Sequence, residues 1–172
     1  MKVVNRHHRI VSRSAASVGA LIDSLASSQD CLWPHYSWPK MRFDQPLGVN
    51  VRGGHGPIRY FVETYRPGKS ISFRFSSPRG FRGFHRFEVT DDENNSCQLE
   101  HYLEMKTTGF ALLTWPLIYR PLHDALIEDA LATAQLNLQL HPDIHAWSLW
   151  VKCLRWILSA GKSSSQIIRS SI

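Results

Sequence analysis

The feature that most constrains this fold is a pair of glycine-punctuated turns joining strands whose inward faces carry aromatics. Gly53-Gly54-His55-Gly56-Pro57-Ile58-Arg59-Tyr60 runs into Tyr65-Arg66-Pro67-Gly68-Lys69 and then into Gly83-Phe84-His85-Arg86-Phe87. Side chains repeating every second residue share one face of a strand. With Pro67-Gly68 at the tip of a tight hairpin, Tyr60 faces Phe75, Val62 faces Phe73 and Thr64 faces Ile71, all on one side. The other side carries Arg59, Glu63, Ser72 and Arg74, as in an antiparallel sheet wetted on one face. The pattern predicts a curved sheet with a hollow concave side. Gly53 to Gly56 reads as a flexible loop at its mouth, where His55 touches a ligand or solvent.

A second hairpin is expected at Asp91 to Ser96, where Asn94 and Asn95 tolerate left-handed backbone. Its strands place His85, Phe87 and Val89 inward, and beside them Leu99, His101, Leu103 and Met105. Upstream, Val3 to Ser12 reads as a strand. Val18, Leu21, Ile22 and Leu25 follow at helical spacing, with Ser14 or Ser17 as N-cap. The pairs Trp33-Pro34 and Trp38-Pro39 leave room only for a short second helix and a bend, because a residue before proline avoids the α region. The longest helix is predicted from Pro121 to about Leu140, burying Leu122, Leu126, Ala130 and Leu131.

From Asp143 to Ala160 a further amphipathic helix is expected, with Ile144, Trp147, Val151, Leu154 and Leu158 on one stripe. Protein is expected to cover that stripe, from the same domain or a second copy, ahead of a membrane interface. Gly161 to Ile172, with its run of serines, reads as a mobile basic tail.

A chain of 172 residues suits one domain with a single core. A net charge of +6 favours anionic surfaces without naming one. Cys31, Cys97 and Cys153 are odd in number, far apart, and lack zinc-type spacing, so neither metal nor cofactor is expected. With no apolar run of signal or membrane-spanning length, the expected location is cytoplasmic, with peripheral membrane contact left open.

These motifs, together with Arg120-Pro121-Leu122-His123-Asp124-Ala125-Leu126-Ile127-Glu128-Asp129-Ala130-Leu131, resemble a bacterial subgroup of the START-like superfamily of polyketide cyclases and lipid-transfer proteins (SRPBCC). The resemblance covers about residues 1 to 140. It implies an α+β helix-grip fold, in which a curved antiparallel sheet wraps a long C-terminal helix and leaves a pocket between them. Residues 141 to 172 would then be an addition comprising the amphipathic helix and the tail.

Tyr60, Val62, Phe73, Phe75, Phe87, Leu99, Leu103 and Met105 are the candidate apolar lining, with His85 and His101 as candidate polar contacts or an acid/base pair. Three functions stay open. The first is binding or carriage of a small hydrophobic molecule, such as a lipid, quinone, isoprenoid or polyketide. The second is a cyclase or aromatase using a pocket histidine. The third is an interaction module. Arg79-Gly80-Phe81-Arg82-Gly83-Phe84-His85-Arg86-Phe87 resembles an RNA-recognition strand, but Arg82 shifts the alternation, so the segment reads as a basic hairpin loop and nucleic acid is disfavoured.

Overall fold

A computed structural model describes residues 1–91 and 96–159 of the chain. The hairpin tip at Asn94 and Asn95 and the tail from Gly161 lie outside the described residues. Among the described residues the strands are β1 (Lys2–Val11), β2 (Arg42–Phe43), β3 (Arg52–His55), β4 (Ile58–Arg66), β5 (Ser70–Ser77), β6 (Phe81–Asp91) and β7 (Cys97–Thr107). They form one antiparallel sheet in the order β1-β7-β6-β5-β4-β3-β2. Helix α1 (Ala15–Asp23) begins at Ser14, whose hydroxyl accepts the Ser17 N–H at 3.3 Å. The sheet curves around a long helix late in the chain, giving the α+β helix-grip architecture.

The β4–β5 register pairs Tyr60 with Phe75 and Val62 with Phe73, as the alternation predicts, and then slips. A bulge after Val62 sets Thr64 opposite Ser72 and Tyr65 opposite Ile71, so Thr64 faces solvent and Tyr65 turns inward. Tyr65 holds that position by donating its hydroxyl to Asp23 of α1 at 2.8 Å. The same carboxylate accepts the Gly68 N–H at 2.8–2.9 Å, fastening the hairpin tip to the end of α1.

The segment expected as a flexible loop is instead strand β3, with Gly53 opposite Tyr60 and His55 opposite Ile58. A Cβ on Gly53 would lie 2.3 Å from the Arg42 carbonyl of β2, so this glycine permits close strand approach. The basic loop at Arg79 is also shorter than expected, because β6 starts at Phe81; Arg79 and Arg82 are exposed. Phe81 and Phe87 are buried and unavailable for base stacking.

No second helix forms at 30–39. The Asp30 carboxylate accepts the N–H groups of Ala26, Leu32 and Trp33 and holds the segment in turns.

The long helix starts ten residues ahead of the expected Pro121. Its parts are α2 (Ala111–Thr114), a π-helical turn (Trp115–Tyr119) and α3 (Arg120–Asn137). The wide turn closes with the Arg120 N–H on the Trp115 carbonyl and accommodates Pro116 and Pro121 within a continuous helical run. Pro121 cannot bond the Leu117 carbonyl four residues back, and the Trp150 indole N–H takes that place at 2.8 Å.

The last helix is shorter than expected, α4 (Leu149–Ser159). Residues 141–148 are irregular because Asp143 and His145 are drawn to Arg9 and Glu128, while the Ser148 hydroxyl accepts the Val151 N–H. Val151 and Leu154 are buried in the domain's own core and Trp147 packs beside it, whereas Ile144 is exposed.

Candidate functional site

Between the concave face and the long helix lies a cavity of about 450 Å³, within the range of about 300–1,000 Å³ usual for small-molecule pockets. Strand parity brings Phe75, Phe81, His85, His101 and Leu103 to its sheet wall. The helix wall is Trp115, Tyr119, Leu122, His123, Leu126 and Ile127. Trp33, Trp38 and Ile58 close one side, and Arg155 and Leu158 of α4 complete the rim. A broader, more open groove of about 1040 Å³ crosses β2, β3 and β4 beside Lys40, Arg42, Arg52 and Arg59. The mainly apolar cavity is the stronger candidate, because the buried imidazoles of His85 and His101 stand in its wall.

Of the sequence-predicted lining, Phe75, His85, His101 and Leu103 reach the cavity. Tyr60, Val62, Phe73, Phe87, Leu99 and Met105 are packed in the core instead. Most of them share their cluster with Val18, Leu21 and Ile22, so α1 fills one end of the concave face; Met105 belongs to a smaller cluster with Phe81 and Trp115. Leu122 and Leu126, expected as buried positions of the long helix, also line the cavity, whereas Trp115 and Tyr119 at the same helical spacing are absent from the sequence-based lining. The expected helix start at Pro121 cut that stripe in two.

His85 Nδ1 and His101 Nε2 lie 3.2 Å apart, so one ring donates to the other. His85 Nε2 and His101 Nδ1 have no hydrogen-bond partner among the described residues. Since each neutral imidazole has one N–H, either arrangement leaves one free donor and one free acceptor in the pair. Burial holds both rings well below the usual histidine pKa and keeps them neutral, with neighbouring histidines adding to the effect. Phe73 and Phe75 stack on His85 at centroid distances of 4.9 and 5.0 Å. Tyr60 meets its edge at 5.2 Å and shares a 3.3 Å hydrogen bond with His55.

A more polar cluster lies behind the helix wall. The His101 ring is 5.0 Å from that of His123, and His123 Nδ1 is 3.4 Å from Asp124 Oδ1. The same oxygen lies 3.3 Å from His7 Nε2 and accepts the Asn5 amide at 2.9 Å. His7 Nδ1 is 2.6 Å from Glu128, which also takes the Arg9 guanidinium. Burial works against charge on His7, but the Asp124 and Glu128 carboxylates that accept from its ring outweigh it and raise its pKa. Burial likewise opposes the Asp124 carboxylate, yet His123, His7 and Asn5 hold it well below its usual range.

The rim is fastened by Arg155. Its guanidinium lies 4.3 Å from the Trp38 ring centre and 4.1 Å from that of Trp147, and donates to the Ser37 carbonyl. Both indole N–H groups donate to Asp129, at 2.7 and 3.0 Å.

No protein-family model matches the chain, and no curated protein sequence matches it. Solved structures do. A norcoclaurine synthase point mutant from Thalictrum flavum, in complex with a transition-state analogue, superposes with a TM-score of 0.60 at 18% identity, covering 81% of this chain and 96% of that one. The di-domain aromatase/cyclase StfQ of the steffimycin biosynthetic pathway gives 0.59 at 10% identity, covering 81% of this chain and 51% of that one. Ara h 8.0201 gives 0.55 at 7% identity, covering 81% and 99%. The chain shares the helix-grip fold of these structures. At these identities the likeness extends to the fold alone.

Proposed function

We propose that the protein binds and carries a small hydrophobic molecule in the cavity, holding a neutral polar end of that molecule at His85 and His101. The observation that carries this reading is a mainly apolar cavity whose wall includes the buried, neutral imidazole pair of His85 and His101. Apolar walls supply most of the affinity and a few placed polar groups set orientation. A lipid, quinone, isoprenoid or polyketide-like compound with a hydroxyl, enol or carbonyl terminus fits that chemistry.

Organic extraction of purified protein followed by mass spectrometry tests the reading. A co-purifying apolar compound is expected, and His85→Ala or His101→Ala should weaken its binding by about 1–3 kcal/mol, the cost of a buried polar group losing its partner. Protein that binds no apolar compound or hydrophobic fluorescent probe would overturn it.

The second reading is cyclisation or aromatisation of a polyketone, favoured by the same buried imidazole pair, since a neutral ring can accept a proton from a bound chain. Appearance of a cyclised product from a linear polyketone, lost in His85→Ala and His101→Ala, would select it. Among the described residues no helix is long and apolar enough to cross a membrane. Cytoplasmic placement, self-association and peripheral membrane contact belong to the proposal. The last two rest on exposed Leu149, Trp150 and Ile157, and gel filtration beside liposome co-sedimentation separates them.

A further inference from the structure

From the side chains that join β1 to α3 we infer that His7, His123 and Asp124 form a binding site for one divalent transition-metal cation of the zinc class. Their ligand-type atoms all lie within 4.8 Å of one another. Both imidazole-to-carboxylate separations, 3.3 Å for His7 Nε2 and 3.4 Å for His123 Nδ1, exceed the span of about 2.7–2.9 Å expected of charge-assisted hydrogen bonds. They match the edge of a tetrahedron of about 3.4 Å that follows from metal–ligand bonds of about 2.0–2.2 Å. The His7–Glu128 contact in the same cluster, by contrast, is a tight 2.6 Å.

The surroundings add a second, independent argument. Metal-bound histidines commonly donate their other ring nitrogen to a carboxylate, which fixes ring orientation and raises ligand basicity. His7 turns Nε2 towards Asp124 and Nδ1 towards Glu128 Oε1, and Glu128 is in turn held by Arg9 and His145. Asn5 steadies Asp124 through the 2.9 Å amide bond.

Two imidazoles and one carboxylate suit Zn²⁺, Co²⁺ or Ni²⁺ better than Ca²⁺ or Mg²⁺, which prefer all-oxygen shells. The Asp124 side chain is 35% exposed, so ions have a route in and a water has room in the fourth position. The ion would tie edge strand β1 to the helix bearing His123, directly behind the cavity wall. None of this depends on which molecule the cavity holds.

The test is titration of tag-free, full-length protein with Zn²⁺ by calorimetry and with Co²⁺ by visible absorption. One equivalent should bind, the melting temperature should rise, and Co²⁺ should give tetrahedral-type bands without thiolate charge transfer. His123→Gln and Asp124→Asn should each weaken binding by more than about 100-fold. Glu128→Gln should cost about 10- to 100-fold, as for other carboxylates that orient a ligating histidine. Circular dichroism of the metal-free variants checks folding, and His7→Gln replaces any that fails it. The absence of saturable binding, affinity unchanged in the folded variants, or a thiolate band from Cys31, Cys97 or Cys153 would each overturn the site.

Discussion

His85 and His101 stand next to each other on β6 and β7 with relative exposures of 5% and 1%. Both pKa values are depressed by burial, so the folded protein keeps the rings neutral at pH values where an unfolded chain would protonate them. Their stabilising contribution is therefore complete above the unfolded histidine pKa of about 6.5 and is lost as pH falls below it. Each ring should cost up to about 1.4 kcal/mol per pH unit in that window. Urea unfolding between pH 7 and pH 5 should show this slope, and it should shrink in His85→Phe relative to the parent. His7 runs the other way. Its raised pKa gives stability that is present below about 6.5 and lost as pH rises through the higher folded value. The parity that brought His85 and His101 inward was legible in the sequence, because alternation on a paired strand leaves little choice of face. The partnership of His7, His123 and Asp124 was not legible, since it joins the first strand to the last long helix and no local spacing encodes that approach.

Among the elements, α1 and the β4–β5 hairpin meet backbone to backbone. A Cβ on Gly19 would fall 1.9 Å from the Gly68 carbonyl oxygen, so the helix reaches the turn only because that side chain is absent. Gly19→Ala should destabilise the protein by about 1–3 kcal/mol despite alanine's better helix propensity, measured by chemical denaturation. A stability equal to or above the parent's would contradict the contact. At the opposite rim α4 depends on the sandwich of Arg155 between Trp38 and Trp147. Arg155→Ala should loosen that helix by about 1–2 kcal/mol, read as faster amide exchange in α4 with the sheet unchanged. The sequence identified most of these elements but misjudged their ends for physical reasons. Pro121 reads as the first residue of the long helix, yet a π-turn carries the helical run through both it and Pro116. A bulge between Val62 and Thr64 shifts the register, and the Asp23 carboxylate holds Tyr65 in its inward place. The apolar stripe from Ile144 to Leu154 predicted one helix, but ionic contacts of Asp143 and His145 with the domain unwound its first part.

At the scale of the whole molecule, the motif order gave the architecture, while the cavity had to be found in three dimensions because core and pocket residues share one strand face. What separates Phe73 from Phe75 is whether α1 or empty space lies opposite, and alternation carries no information about that. The neutrality of the imidazole pair has a consequence for the guest's charge. Moving an anion into this mainly apolar space strips its hydration with no formal positive charge on His85 or His101 in return, so a weak acid should enter in its protonated form and have its own pKa raised on binding. A carrier built on this cavity would then select among protonation states of one compound. For a fatty or aromatic acid, affinity should fall about tenfold for each pH unit above the free acid's pKa, whereas an alcohol of the same carbon skeleton should show no such slope. Parallel titrations of the two compounds across neutral pH, with equal slopes as the contrary outcome, measure that selectivity directly.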